Sequence, residues 1–159
     1  MRNEKGVTLV EVVSCMVILS VLAGMAIPTI DNMKAKLALH GEVSKLVEEL
    51  HKARLVAIKS NAKVVFRYTE NGYMTFIDDG NNGGNKEDWI HQSGEQVLAD
   101  VTFGNQLKIA VPESSFPSQR TRFSGKPGIT GGTVVLQGSE GNKSKVIVNA
   151  IGRVRVEKL

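Results

Sequence analysis

Cysteine is almost missing from this chain of 159 residues. Cys15 is the only one, so no intramolecular disulfide can form and a disulfide-stapled secreted scaffold is excluded. Cys15 lies in an apolar run, where a thiol serves as a small packing group. Histidine is scarce as well. His40, His51 and His91 are the only three, and the first two would stand roughly 16 Å apart along a helix, too far to share a metal. No Ser/His/Asp set, Cys/His cluster or P-loop occurs. Catalytic, cofactor-binding and metal-binding residues are therefore all expected to be absent, and the chain does not read as an enzyme. Aromatics are sparse, no internal repeat is visible, and the length fits one modest core.

Charge is missing from one stretch above all. Val7 to Ile27 is a 21-residue run with a single charge, Glu11. As a helix it would be roughly 31 Å long, enough to cross a bilayer core. A short polar leader with Arg2 and Lys5 precedes it and ends in Gly6; Pro28 follows it. A cleaved secretory signal would have a shorter apolar region, about 7–15 residues, and no acid inside it. A plain anchor would explain neither Gly6 nor Glu11. Glu11 can be read as an interfacial acid reaching the headgroups. It can also be read as an acid that finds a cation within an assembly, since a cut after Gly6 would free an amine at Val7, one helical turn away.

Gly6-Val7-Thr8-Leu9-Val10-Glu11 resembles the class III signal of type IV pilins and type II secretion pseudopilins. The resemblance implies that prepilin peptidase cuts between Gly6 and Val7 and methylates the new N-terminus at Val7. It also implies that Glu11 guides assembly with other pilins into a helical filament. The usual first mature residue of that family is Phe, where this chain has Val7. Pro28 falls where family members carry a helix-bending proline.

Beyond Pro28, which disfavours helix just before it, Leu39, Val43, Leu46, Leu50, Ala53 and Ala57 recur at spacings of three and four. That is one face of an amphipathic helix. Together the halves make one long helix over about 7–60, bent near Pro28. Strands are expected at 64–68 and 73–77, with Asn71-Gly72 supplying the positive φ values of a tight hairpin. The oxygen-rich loop 78–88 invites a calcium reading, but its acids do not follow the EF-hand order, and a flexible turn loop is the better reading. Strands follow at 97–103, 107–111, 133–137, 145–149 and 152–156, and 112–132 reads as an irregular crossing.

The expected fold is α+β: a long bent N-terminal helix, transmembrane in its first half, packed on a small, mainly antiparallel β-domain. The expected divisions are a leader at 1–6, a transmembrane and filament-core half-helix at 7–30, and a soluble domain at 31–159. Charge is distributed in blocks: residues 31–68 carry net +4, 69–113 net −6 and 114–159 net +6, which suggests surfaces with different partners.

Phe123-Ser124-Gly125, Gly132-Thr133-Val134-Val135-Leu136 and Gly152-Arg153-Val154 resemble the GspH/FimT branch of minor pilins and pseudopilins. That resemblance implies a tip or priming role, a processed protein held first in the bacterial inner membrane with its domain in the periplasm, then a filament. It leaves open a type IV pilus or a type II secretion pseudopilus with no DNA role. Gly152-Arg153-Val154-Arg155 also resembles the element with which FimT-type pilins hold DNA. In a strand Arg153 and Arg155 would project together; the alternative is that they solvate an edge strand and discourage sheet pairing.

Overall fold

The computed structural model describes residues 8–80, 85–126 and 128–159, the side chains of 25–29 and 31–32 excepted. The leader, Gly6 and Val7 lie outside the described residues, as does the side chain of Pro28 at which a bend was expected. The chain forms two compact units, one ending at Lys34 and one spanning Ala35–Leu159. One helix, α1 (Leu9–Ser60), contributes to both.

In the first unit Thr8 starts the helix. Its hydroxyl accepts the Glu11 amide at 3.3 Å, and its carbonyl accepts the amides of Glu11 and Val12. Those first-turn N–H groups would otherwise lack partners. Ser14 and Ser20 donate their hydroxyls to the carbonyls of Val10 and Met16, so the only alcohols of the apolar helix after Thr8 satisfy themselves within it. Leu9, Val10, Met16, Ile18, Leu19 and Leu22 are all more than half exposed. Among the described residues no helix is long and apolar enough to cross a membrane; the run 7–27 begins at one residue outside them and ends among side chains outside them.

In the second unit α1 buries the stripe that its spacing foretold: Leu39, Val43, Leu46, Leu50, Ala53 and Ala57 are at most 5% exposed. Against it lie two antiparallel four-stranded sheets. The first contains β1 (Val64–Thr69), β2 (Gly72–Ile77), β3 (Val97–Thr102) and β5 (Arg120–Phe123), in the order β3-β2-β1-β5. The second contains β4 (Leu107–Ile109), β6 (Gly132–Gly138), β7 (Lys143–Val148) and β8 (Val154–Lys158), in the order β4-β6-β7-β8. Val64, Phe66, Tyr68, Phe123, Val134 and Val146 bring the inner faces of both sheets into one core with the helix. Period-2 alternation puts these residues on one side of each strand.

Three local expectations are corrected. The segment 112–132 is not wholly irregular, because Arg120–Phe123 forms β5 and pairs with β1 through Val64↔Phe123 and Arg67↔Arg120. Its Thr121 and Phe123 are buried while both arginines face outward. The β1–β2 connection is Glu70-Asn71, with Thr69 opposite Gly72, and neither Asn71 nor Gly72 has positive φ. Gly72 is needed for another reason: a Cβ there would lie 2.0 Å from the carbonyl oxygen of Val101 on β3. Finally, β8 starts at Val154, so Gly152 and Arg153 belong to the turn before it. Gly152 has φ +78°, a conformation costly for any residue with a Cβ.

Candidate functional site

The sequence nominates two sites, and the structure describes part of the first. Glu11 is exposed in the opening turn of α1, at the third helical position after Thr8. There the partial positive charge of the helix start favours a carboxylate. The spacing Thr8-x-x-Glu11 is that of a capping box. Reading the run only for hydrophobicity missed this signal, which assigns Thr8 a role in starting the helix.

The second site lies on the β7–β8 hairpin. Arg153 precedes β8 and Arg155 lies within it, yet both line one depression of about 310 Å³ with Ile147 and Asn149. The turn that aims Arg153 is held at both ends. The Arg153 amide donates to Asn149 Oδ1 at 2.8 Å, and Arg54 of α1 donates to the Gly152 carbonyl at 2.9 Å. Arg155 stands opposite Ile147, two-thirds exposed, with Nη2 2.6 Å from Glu157 Oε1. Lys143 and Lys145 alternate onto the same outer face as Ile147, although Lys143 is paired with Glu113. The other basic residues of the final third do not all join them. Lys158 is opposite Ser144 on the inner side, and Arg120 and Arg122 belong to the other sheet.

Those two arginines hold a feature that the sequence did not reveal. Arg122 stacks over the Trp89 ring at 4.5 Å and Arg120 at 5.6 Å, and Arg120 donates to the Trp89 carbonyl at 3.1 Å. Trp89 sits in the connection from β2 to β3, which covers the outer face of the first sheet. Beneath that cover Val65 and Phe76 are fully buried, with His91 edge-on to Phe76. The buried Asp78 carboxylate accepts the amides of Glu87 (2.6 Å) and Trp89 (3.2 Å). Buried Glu95 accepts those of Gly80 (3.2 Å) and Gln92 (2.9 Å). Outside residues 81–84 this loop is thus braced, not the flexible turn expected, and two of its carboxylates are spent on backbone amides. No cluster of three or more metal-ligating His, Cys, Asp or Glu occurs among the described residues.

The brace carries a pH dependence. Glu87 pairs with Lys63 and lies 3.9 Å from Arg122. The Lys63 hydrogen bond above all, with the charges of Lys63, Arg122 and Lys86, lowers its carboxyl from the ordinary 4.5. A pKa depressed in the folded state means a contribution complete above 4.5 and lost as pH falls through the folded value. Trp89, the only tryptophan, should therefore change its fluorescence on acidification below that point. Glu87→Gln should remove that phase; an acid titration indifferent to the substitution would refute the assignment.

Comparison with known proteins matches this architecture. The family model described as Type II transport protein GspH matches residues 42–152. The chain belongs to the GspH family. A second model, the prokaryotic N-terminal methylation motif, matches residues 1–27 of this GspH-family chain. The pilin-like protein PilA1 of Thermus thermophilus is 31% identical over 163 residues, covering 98% of this chain and 99% of PilA1. The minor pseudopilin EpsH from the Type 2 Secretion System of Vibrio cholerae shares the fold, with a TM-score of 0.55 at 14% identity over 78% of this chain and 96% of EpsH. The GspH-family chain is thus a member of the type IV pilin and pseudopilin superfamily, with that superfamily's long helix packed on antiparallel sheets.

Proposed function

We propose that this chain is a minor pilin that primes or tips a type IV pilus. The leader 1–6 is cut by prepilin peptidase between Gly6 and Val7, and Val7 is N-methylated. Residues 7–30 then anchor the chain in the inner membrane, with 31–159 in the periplasm, until the helix leaves the bilayer for a filament of pilins. The observation that carries the reading is the exposed, apolar start of α1, capped by Thr8 and carrying one acid. Its Leu9-to-Leu22 surface is too large and apolar to face water and suits first lipid and then neighbouring helices. Intact-mass and peptide spectrometry of the protein from its native cell should find an N-terminal methyl-Val7. An intact leader, or a start after Ala26, would sink the reading.

The second reading is a minor pseudopilin of type II secretion with no DNA role, supported by the family model's own description. Deletion separates the two. Loss of pili with normal enzyme secretion fits the first, and the reverse fits the second.

The pilus reading brings with it a cargo, DNA. Arg153 and Arg155 share one shallow depression, with Lys145 on the same face. That supports phosphate contact, salt-dependent and with little sequence preference. The competing reading also has support, because β8 is an edge strand and arginines on an edge discourage pairing with other sheets. Titration of duplex DNA into the detergent-solubilised chain at low salt tests it. Changing Arg153 and Arg155 together to Gln should weaken binding about tenfold or more. Absent binding, or binding indifferent to the double change, leaves a filament component only.

A further inference from the structure

The connection from β2 to β3 covers only part of the first sheet's outer face. It buries Phe76 and Val65, but the next row of the sheet is left open. There Asp100 on β3, Met74 on β2 and Arg67 on β1 are cross-strand neighbours, with Arg120 beyond them on β5. Arg67 thus stands directly opposite Arg120, and like charges so placed destabilise a sheet. Arg120 is engaged with the Trp89 carbonyl. Arg67 and Asp100 are exposed, and neither side chain has a hydrogen bond or ion pair among the described residues. Both line one depression of about 280 Å³. His91 lines it too, and its Nε2 is buried without a hydrogen-bond partner among the described residues. Gly72 gives the depression its depth. It lies between Thr69 and Thr102 on the same face and can carry no side chain, because a Cβ would meet the Val101 carbonyl, so the backbone is bare there.

The unpaired groups define a ligand by their complement. The Arg67 guanidinium suits a carboxylate, which it can hold through two parallel hydrogen bonds. Asp100 only accepts when ionised, so it calls for donors. An inorganic anion or a run of nucleic-acid phosphates brings acceptors alone and would set a like charge against Asp100. Around the pair stand Asn71, Thr69 and Thr102, side chains that both donate and accept. Hydroxyl groups do the same and match them. Size points the same way. The depression is smaller than the roughly 300–1,000 Å³ of a drug-sized site, and Arg67 and Asp100 lie two strands apart, ~10 Å between backbones. Both side chains reach into that gap, so one ring bridges it, laid over Met74 and the bare backbone of Gly72.

We propose that the depression at Arg67, His91 and Asp100 binds a sugar acid, one hexuronic acid residue of an acidic polysaccharide. The carboxylate sits on Arg67, ring hydroxyls donate to Asp100 and Asn71, and a further hydroxyl meets His91 Nε2. The bound carboxylate also offsets the repulsion between Arg67 and Arg120. The site lies wholly within the second compact unit and does not depend on which kind of filament the chain enters.

The test titrates D-galacturonate into the full chain, solubilised in a polyoxyethylene detergent so that no sugar headgroup competes. The chain carries ¹³C-methyl methionine. Met74 lines the depression and reports binding, its resonance assigned with Met74→Leu; Met16, in the first unit, is the control. Galacturonate should shift the Met74 resonance and leave that of Met16 in place. Glucose lacks the carboxylate and acetate lacks the hydroxyls, so each should bind about tenfold more weakly. Arg67→Gln should weaken galacturonate by about the same factor. Asp100→Asn is the deciding variant. If Asp100 accepts from hydroxyls, the change weakens galacturonate and leaves acetate alone. If the site takes any small anion, the change removes a repulsion and strengthens both. Strengthening would therefore overturn the sugar assignment, and so would acetate or glycylglycine binding as tightly as galacturonate. A Met74 resonance that galacturonate does not move, in a chain whose methyl signals are dispersed as in the folded protein, would show that no such site exists.

Discussion

Replacing Glu11 with Ala should leave leader cleavage intact and reduce the subunit's incorporation into filaments about a hundredfold. The size of the effect follows from where the charge would end up. In the isolated helix Glu11 is exposed, and its attraction to the helix start is worth a factor of about five at most. Its backbone amide bonds the Thr8 hydroxyl whatever the side chain, so the helix should still begin at the same place in the variant. In a filament the carboxylate would face a neighbour's N-terminal amine among apolar helices. Removing one member of such a pair leaves the other buried and unmatched, a loss of two orders of magnitude or more. Glu11→Gln separates the two contributions, because it keeps the size and removes the charge. Filaments that accept the Gln variant as readily as the parent would show that no ion pair forms there.

A second large effect is expected in the β-domain. Leu46 is fully buried in the middle of the α1 stripe, between Val43 and Leu50. Leu46→Ala should cost about 2–5 kcal/mol through lost contacts and the cavity left behind. Leu46→Asp goes further, since no cation lies in the cluster that surrounds it. A carboxylate there must be buried without a partner or protonated. The penalty is comparable with the whole stability of an ordinary domain, about 5–15 kcal/mol. The Asp variant should be recovered unfolded or not at all, while Glu48→Ala, on the exposed side of the same turn, should unfold within a few degrees of the parent. Denaturant melts of the Ala variants and a solubility comparison for the Asp variant measure this. A folded, soluble Leu46→Asp protein would show that the helix does not hold the sheets as described.

The features that could be read in advance share a property: each is repeated along the chain. The six-residue stripe from Leu39 to Ala57 was legible because one helix face repeats every three or four residues and one core selects them all. The strands around Phe66, Tyr73, Val134 and Ile147 were legible for the same reason at period two. What stayed hidden depends on residues distant in sequence. β5 is four residues long and half arginine, inside a stretch rich in Ser, Pro and Gly, and only its pairing with β1 makes it a strand. Asp78 belongs to the oxygen-rich loop that invited a calcium reading, yet its carboxylate is occupied by the amides of Glu87 and Trp89, nine and eleven residues away. Gly72 suggested a hairpin turn but is required by the carbonyl of Val101. Arg153 and Arg155 were read as strand neighbours, and they meet on one surface although only Arg155 is in a strand.

The strand order of the first sheet has a consequence for how the domain comes into being. β1, β2 and β3 are consecutive and can zip together as soon as they are made, but the other side of β1 must wait for β5, which comes after β4 in the chain. Until residues 120–123 arrive, β1 presents an open row of backbone donors and acceptors, with Val64 and Phe66 beside it. Such an edge is a template for wrong pairing, and long-range closure is the slow part of assembling a sheet. The vulnerable interval in the life of this protein therefore falls between the emergence of β1 and the arrival of Phe123. A chain truncated just before Arg120 should aggregate, even though it retains the entire helix and three strands of the sheet.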